Sequence, residues 1–263
     1  MFTGSLYPYQ EESVEKMLDR GQVLLGLVMG AGKTVTTISC IETLLTNRDI
    51  DRCLVVVPAS LKYQWKREIQ RFTNSRVTVI YGPAKAREKL WKASISSQYV
   101  IVNTECLIRD LEFFKRIPCQ AIVVDEATML KSRSSKRSKM VKRISKPMVY
   151  RYALTGQPIE NRPEELFSIM EFVDPTVLGP FDAFDRTFIV RDYYGKPVRY
   201  RNLNNLHASM EDCMIRKTRE DIADQLPEII HQLIPVPFDT HGATLYRTIA
   251  TDLLHQLQQA MSK

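Results

Sequence analysis

The chain has 263 residues, 44% hydrophobic and 25% charged, with a formal net charge of +7. These are the proportions of a globular chain with one large domain, or one domain and an appendage. No apolar run approaches the roughly 18 residues needed to cross a bilayer, and the first residues lack the basic and apolar regions of a secretory signal. Five scattered cysteines (Cys40, Cys53, Cys106, Cys119, Cys213) have neither disulfide-framework nor metal-ligand spacing, so reduced thiols in an intracellular setting are expected.

The spacing predicts a first helix over 8–20, with Pro8 at its start and Gly21 just past its end. Short, continuously apolar runs then alternate with amphipathic stretches. The runs are Val23–Val28, Cys53–Val57, Val77–Tyr81, Tyr99–Val102, Ala121–Val124 and Met148–Leu154. Continuous rather than alternating hydrophobicity is the mark of strands covered on both faces. The stretches 34–45, 61–72 and 104–116 have helical spacing; in the last, Leu107, Ile108, Leu111 and Phe114 share one face. Strand–helix alternation of this kind predicts an α/β fold, a mostly parallel sheet between helices, with ligands at the carboxyl ends of the strands.

After about residue 176 the pattern changes. Residues 1–175 read as the core and 176–228 as a helical protrusion, with a hairpin tip near Tyr194-Gly195-Lys196-Pro197 and helical segments near 203–210 and 219–225. Residues 229–263 are expected to add a last core strand, 229–236, and a helix from Ala243 to about Ala260 with Leu245, Ile249, Leu253 and Leu257 on one stripe.

Two constellations carry chemistry. Met29-Gly30-Ala31-Gly32-Lys33-Thr34 follows an apolar run and opens a helix, the context of a phosphate-binding loop. Its glycines let backbone N–H groups converge on phosphate oxygens, and the helix N-terminus adds positive charge. Lys33 is expected to reach the β- and γ-phosphates of ATP, and the Thr34 hydroxyl to ligate Mg²⁺. The second constellation is Ala121-Ile122-Val123-Val124-Asp125-Glu126, an apolar strand ending in two carboxylates. Asp125 is expected to hold Mg²⁺ and Glu126 to orient and deprotonate the attacking water. The four histidines have no ligand spacing, so no metal besides Mg²⁺ is expected.

These residues, with others in order along nearly the whole chain, resemble the N-terminal lobe of Swi/Snf-type, superfamily-two helicase-like ATPases. Leu6-Tyr7-Pro8-Tyr9-Gln10 is similar to the family's opening motif, and Gly30–Thr34 to motif I. Val57-Pro58-Ala59-Ser60-Leu61 with Gln64-Trp65 and Glu68 is similar to motif Ia. Asp125-Glu126-Ala127-Thr128 resembles motif II, and Leu154-Thr155-Gly156-Gln157-Pro158-Ile159 motif III. Ile215-Arg216-Lys217-Thr218 resembles the segment after the family's protrusion. Leu27-Val28 stand where the family usually has Asp-Glu, and Thr128 and Gln157 where it has His and Thr.

The resemblance implies a RecA-like P-loop fold whose Gln10 reads adenine and whose Thr155, Gly156 and Gln157 couple nucleotide to DNA. ATP and Mg²⁺ would be its ligands and double-stranded DNA its partner, with no membrane. It also implies a second RecA-like lobe bearing an arginine finger. No such motif follows Thr218, so little turnover is expected of this chain without that lobe. Between Lys131 and Lys146 stand eight basic residues and no acid. This stretch, through Arg137, Lys139 and Lys142, together with Ser60, Lys62 and Thr104, is expected to track DNA backbone. Trp65, Trp91, Tyr193 and Tyr194 are read as packing residues before base-stacking ones. Two other readings stay open: a strand-separating DNA or RNA helicase lobe, and a degenerate interaction module without turnover. Location would be cytoplasmic in a prokaryotic or viral source and nuclear in a eukaryotic one.

Overall fold

The six apolar runs form strands because their side chains are small, branched and apolar on both faces. They are β1 (Gln22–Leu27), β2 (Cys53–Val56), β3 (Val77–Val79), β4 (Tyr99–Val102), β5 (Ala121–Val124) and β6 (Tyr150–Leu154) in a computed structural model that describes residues 1–156, 162–225 and 239–261. Alternate positions feed two cores. Leu54, Val56, Ile122 and Val124 enter one, and Cys53, Val55, Ala121 and Val123 the other. Each fully buried Val or Leu contributes about 1.5–3 kcal/mol relative to exposure, so the two-sided pattern fixes the register.

Two further strands, β7 (Ile189–Arg191) and β8 (Pro197–Tyr200), make an antiparallel hairpin with Tyr193 and Tyr194 exposed at its turn. The last, β9 (Met214–Lys217), corrects the assignment of 176–228 to a helical protrusion: it pairs in parallel with β1 and edges the main sheet. The expected core strand at 229–236 lies outside the described residues. The main sheet runs β3-β4-β2-β5-β6-β1-β9, every neighbouring pair parallel. All seven carboxyl ends therefore share one edge.

The helices begin and stop for local reasons. In α1 (Pro8–Arg20), Pro8 opens the first turn, the Gln10 side chain accepts from Tyr7 N at 3.0 Å, and Gly21, at φ 70°, closes it by donating to Met17 O. The phosphate loop leads into α2 (Lys33–Asn47), and the motif Ia segment into α3 (Lys62–Phe72). A helix not read from the sequence, α4 (Ala84–Ala93), covers β3. The expected helix over 104–116 divides into α5 (Thr104–Arg109) and α6 (Leu111–Phe114). The break falls at Asp110, whose carboxylate is buried and takes hydrogen bonds from Arg87 Nε at 2.7 Å, Arg87 Nη2 at 2.8 Å and Trp91 Nε1 at 3.0 Å. Then come α7 (Lys136–Ser145), α8 (Pro163–Val173), α9 (Phe181–Phe188) and α10 (Leu203–Met210). Residues 227–263 form a separate unit containing α11 (Thr240–Met261), on which Leu245, Ile249 and Leu253 are exposed.

Candidate active site

The segment between β1 and α2 makes a tight turn. Gly30 and Gly32 have φ of 83° and 73°, the left-handed region where a Cβ is costly. At Gly32 a Cβ would also stand 2.4 Å from Gln10 Nε2, so a side chain at 32 would have to displace the Gln10 amide as well as hold a left-handed backbone. Gln10 is buried; its Nε2 donates to Ala31 O at 3.2 Å, and Tyr9 Oη donates to the same oxygen at 3.1 Å. The opening helix thus clamps the Gly30–Gly32 turn through one carbonyl. Met29 is exposed on the outside of the turn. The Lys33 ammonium folds back and donates to Leu27 O at 3.1 Å. Leu27 itself is fully buried in β1.

Asp125 and Glu126 emerge at the end of β5, two strands away from β1, a separation of about 10 Å. Their charge reaches Lys33. Burial pulls the Lys33 ammonium below the ordinary lysine range, and the Asp125 and Glu126 carboxylates push it back up without cancelling the effect. The intervening strand, β6, is followed by Thr155 and Gly156. A Cβ on Gly156 would lie 3.2 Å from Lys33 Nζ and 2.9 Å from Met29 Cγ. A side chain at 156 would push aside the Lys33 ammonium and the Met29 side chain. Thr155 is buried, and its N–H donates to Leu25 O. Gln157 lies outside the described residues.

Asp125 is buried and rigidly held. Its Oδ2 accepts from Trp65 Nε1 at 2.8 Å and its Oδ1 from Glu126 N at 2.9 Å. Glu126 adopts φ 50°, ψ 59°, a left-handed backbone that is uncommon for a residue with a side chain and costs on the order of 1–3 kcal/mol. The turn after it is tied down: Thr128 Oγ1 and Met129 N both donate to Glu126 O at 3.3 Å.

The donor set suits Mg²⁺. A carboxylate has about four acceptor positions, and Asp125 spends one on each oxygen inside the protein. Thr36 and Thr37 turn their hydroxyls back to Gly32 O and Lys33 O; the Thr34 hydroxyl is not used in this way. Mg²⁺ is ordinarily bound by few protein oxygens, with phosphate oxygens and several waters completing an octahedral shell. Among the described residues no cluster of three His, Cys, Asp or Glu offers a protein-only metal cage.

The expected nucleic-acid contacts divide. Ser60, Arg137 and Lys139 are exposed. Ser60 sits in the 3-10 turn Ala59–Leu61 beyond β2, and Arg137 pairs with Glu105 at 3.0 Å. The other three turn inward, which corrects their assignment as backbone contacts. Lys62 is buried and donates to Ile80 O at 3.0 Å and Asn103 Oδ1 at 3.1 Å, bracing the ends of β3 and β4. Thr104 is buried with its hydroxyl 3.5 Å from Met129 Sδ. Lys142 donates to Ser168 Oγ and Glu171 Oε2, both at 2.8 Å, and fixes α7 on α8. Lys142→Glu is therefore expected to destabilise the fold by roughly 1–3 kcal/mol, because it leaves two carboxylates facing each other in a half-buried site. Chemical denaturation checks this; an unchanged midpoint would contradict it.

With the geometry in view, a family model described as SNF2-related domain matches residues 9–263. The chain belongs to this family. It is 28% identical to "Chromatin-remodeling ATPase INO80" of Drosophila melanogaster over 97% of its own length and 17% of that protein. It is 31% identical to "DNA annealing helicase and endonuclease ZRANB3" of Bos taurus over 90% of itself and 23% of that protein. The chain thus spans less than a quarter of each of these relatives. Among solved structures, "Sulfolobus solfataricus SWI2/SNF2 ATPase core in complex with dsDNA" superposes with a TM-score of 0.72 at 29% identity, covering 84% of this chain and 46% of that one. The RecA-like fold of the SNF2-related chain is that of its structural neighbour.

Two residues of this SNF2 site stand inside motifs named from the sequence but had no role in it assigned. Trp65, taken as packing, is buried and orients Asp125. A buried indole N–H needs an acceptor, and that rule was the available signal. Tyr9 was passed over beside Gln10, yet its hydroxyl holds the same loop carbonyl.

Proposed function

We propose that this chain is the ATP-binding lobe of a motor that, with a second lobe, translocates on double-stranded DNA. The observation that carries the reading is the convergence of Lys33, Gly156 and the Asp125–Glu126 pair at one sheet edge. The backbone amides from Gly30 to Thr34 bind the phosphates, and Lys33 leaves the Leu27 carbonyl to pair with the β- and γ-phosphates. Thr34 and Asp125 are the residues that would hold Mg²⁺. When bound, that ion neutralises charge on the phosphate oxygens. Glu126, next to Asp125 on a constrained backbone, accepts the proton of the attacking water. Gln10 reads adenine while its amide stays on the loop, and Thr155, Gly156 and Gln157 relay the state of the γ-phosphate toward DNA. The neighbouring core solved with duplex DNA and the remodelling ATPase relatives support duplex DNA as the partner.

Trp65→Phe tests the site. It keeps the ring and removes the N–H that Asp125 accepts. Hydrogen bonds to charged groups contribute roughly 1.5–3 kcal/mol, so ATP affinity in magnesium should fall about tenfold or more. Affinity in magnesium-free buffer should change little. Equal losses in both titrations would reduce Trp65 to packing and weaken the metal assignment to Asp125.

Duplex binding is tested by reversing charge at Arg137 and Lys139, the exposed members of the basic stretch. Each lost phosphate contact should make the salt dependence of duplex affinity shallower by about one unit. An unchanged slope removes them from the DNA path.

A further inference from the structure

A second concentration of positive charge lies between α7, α8 and the start of β6. It lines a cavity of about 1000 Å³ and includes six basic side chains and one acid, Glu171. Glu171 is already engaged by Lys142 at 2.8 Å and Arg133 at 3.3 Å. Arg133 is further steadied by stacking over Phe181, 4.4 Å from the ring centre. That leaves Lys139, Arg143, Lys146 and Arg151, none of which has an ion pair among the described residues.

Arg151 carries the argument furthest. It stands at the amino end of β6, the sheet edge opposite Gly156. Its Nε is buried and has no hydrogen-bond partner. Burial pulls its guanidinium below the ordinary arginine range, and the nearby Asp174 compensates only in part. Asp174 accepts from Arg20 at 2.7 Å and from Thr176 N at 2.9 Å, and no hydrogen bond joins it to Arg151 Nε. Buried donors are normally paired, and an unpaired charged one costs more than a neutral one.

Lys139 and Arg143 on α7 and Lys146 at its C-cap follow helical spacing, so they line one face along on the order of 10 Å. Cations spread over that length match several anionic groups on one ligand rather than a single ion. A duplex is a stiff rod. It can lay phosphates along the exposed Lys139, Arg143 and Lys146, whereas Arg151 Nε is buried and suits a smaller anion.

We infer that this cavity is a binding site for a small, multiply charged phosphate anion, separate from the ATP site, with Arg151 at its floor and Arg143 and Lys146 on its wall.

The probe is inorganic triphosphate, titrated calorimetrically in magnesium-free buffer. The Lys33→Ala chain serves as host, since it removes the ammonium of the phosphate loop. Binding is expected to persist in that host. Adding Arg143→Glu with Lys146→Glu, both on exposed positions, should weaken it at least about tenfold, the loss expected from two charge-assisted contacts. Arg151→Gln should weaken it comparably. In the otherwise unaltered chain, Arg143→Glu with Lys146→Glu should leave magnesium–ATP affinity as it was. The inference is overturned if the Lys33→Ala host binds no triphosphate, or if neither set of wall and floor variants weakens binding. Displacement of triphosphate by a DNA duplex at equal phosphate concentration would also overturn it, and would assign the cavity to duplex instead.

Discussion

Covalently joined to a second lobe of its own family, the chain is expected to hydrolyse ATP on duplex DNA about 10³–10⁵ times faster than the chain alone. The factor is that of an arginine finger in phosphoryl transfer, equivalent to roughly 4–7 kcal/mol of transition-state stabilisation. The proposed site offers one ammonium, Lys33, and two carboxylates, Asp125 and Glu126, to the phosphates. Charge developing on the equatorial oxygens of the γ-phosphoryl group requires a further cation, and the matched SWI2/SNF2 core is about twice as long as the part this chain covers. The measurement is phosphate release with and without duplex, for the chain alone and for the fusion. Rapid duplex-stimulated turnover by the chain alone would refute the two-lobe account. Stimulation of the fusion by single-stranded RNA rather than duplex would favour the strand-separating alternative.

The strands were legible because burial on both faces leaves no polar residue to interrupt the run, and β2, β4 and β5 are buried at every position. Edge strand β9 was missed for the converse reason. Among the described residues it has a neighbour on one side only, and its Met-Ile-Arg-Lys sequence buries Ile215 while exposing Arg216. Helix α4 was missed because one of its two buried residues is Arg87, a charge that reads as solvent-facing until Asp110 is known to meet it. The placement of the Gly30–Gly32 turn and of the Asp125–Glu126 pair directly after strands was legible because apolar runs end abruptly at both. The inward turn of Lys62 and Lys142 was not. A lysine's aliphatic stem suits burial and its ammonium can be satisfied by carbonyls or a carboxylate, and only the fold reveals whether such partners stand within reach.

Lys33→Ala is the second large effect, expected to lower ATP affinity at least about a hundredfold, or roughly 2.7 kcal/mol. It removes the charge-assisted contacts to two phosphates, each worth roughly 1.5–3 kcal/mol. The fold should tolerate the change, since the partners left behind, Leu27 O and Val28 O, stand beside a half-exposed side chain that water can replace. The same residue predicts a pH effect. Burial holds the Lys33 ammonium below its ordinary range despite Asp125 and Glu126. Arriving phosphates favour the charged form and raise its pKa, so binding takes up a proton wherever free Lys33 is neutral. Affinity should therefore be constant at neutral pH and fall as pH rises through the lowered free-state value, at a pH below ordinary lysine titration. In Lys33→Ala that alkaline decline should vanish. Persistence of the decline in the variant would transfer it to another group. An unchanged affinity at neutral pH would mean that the ammonium does not face the phosphates, and the proposed site would fall with it.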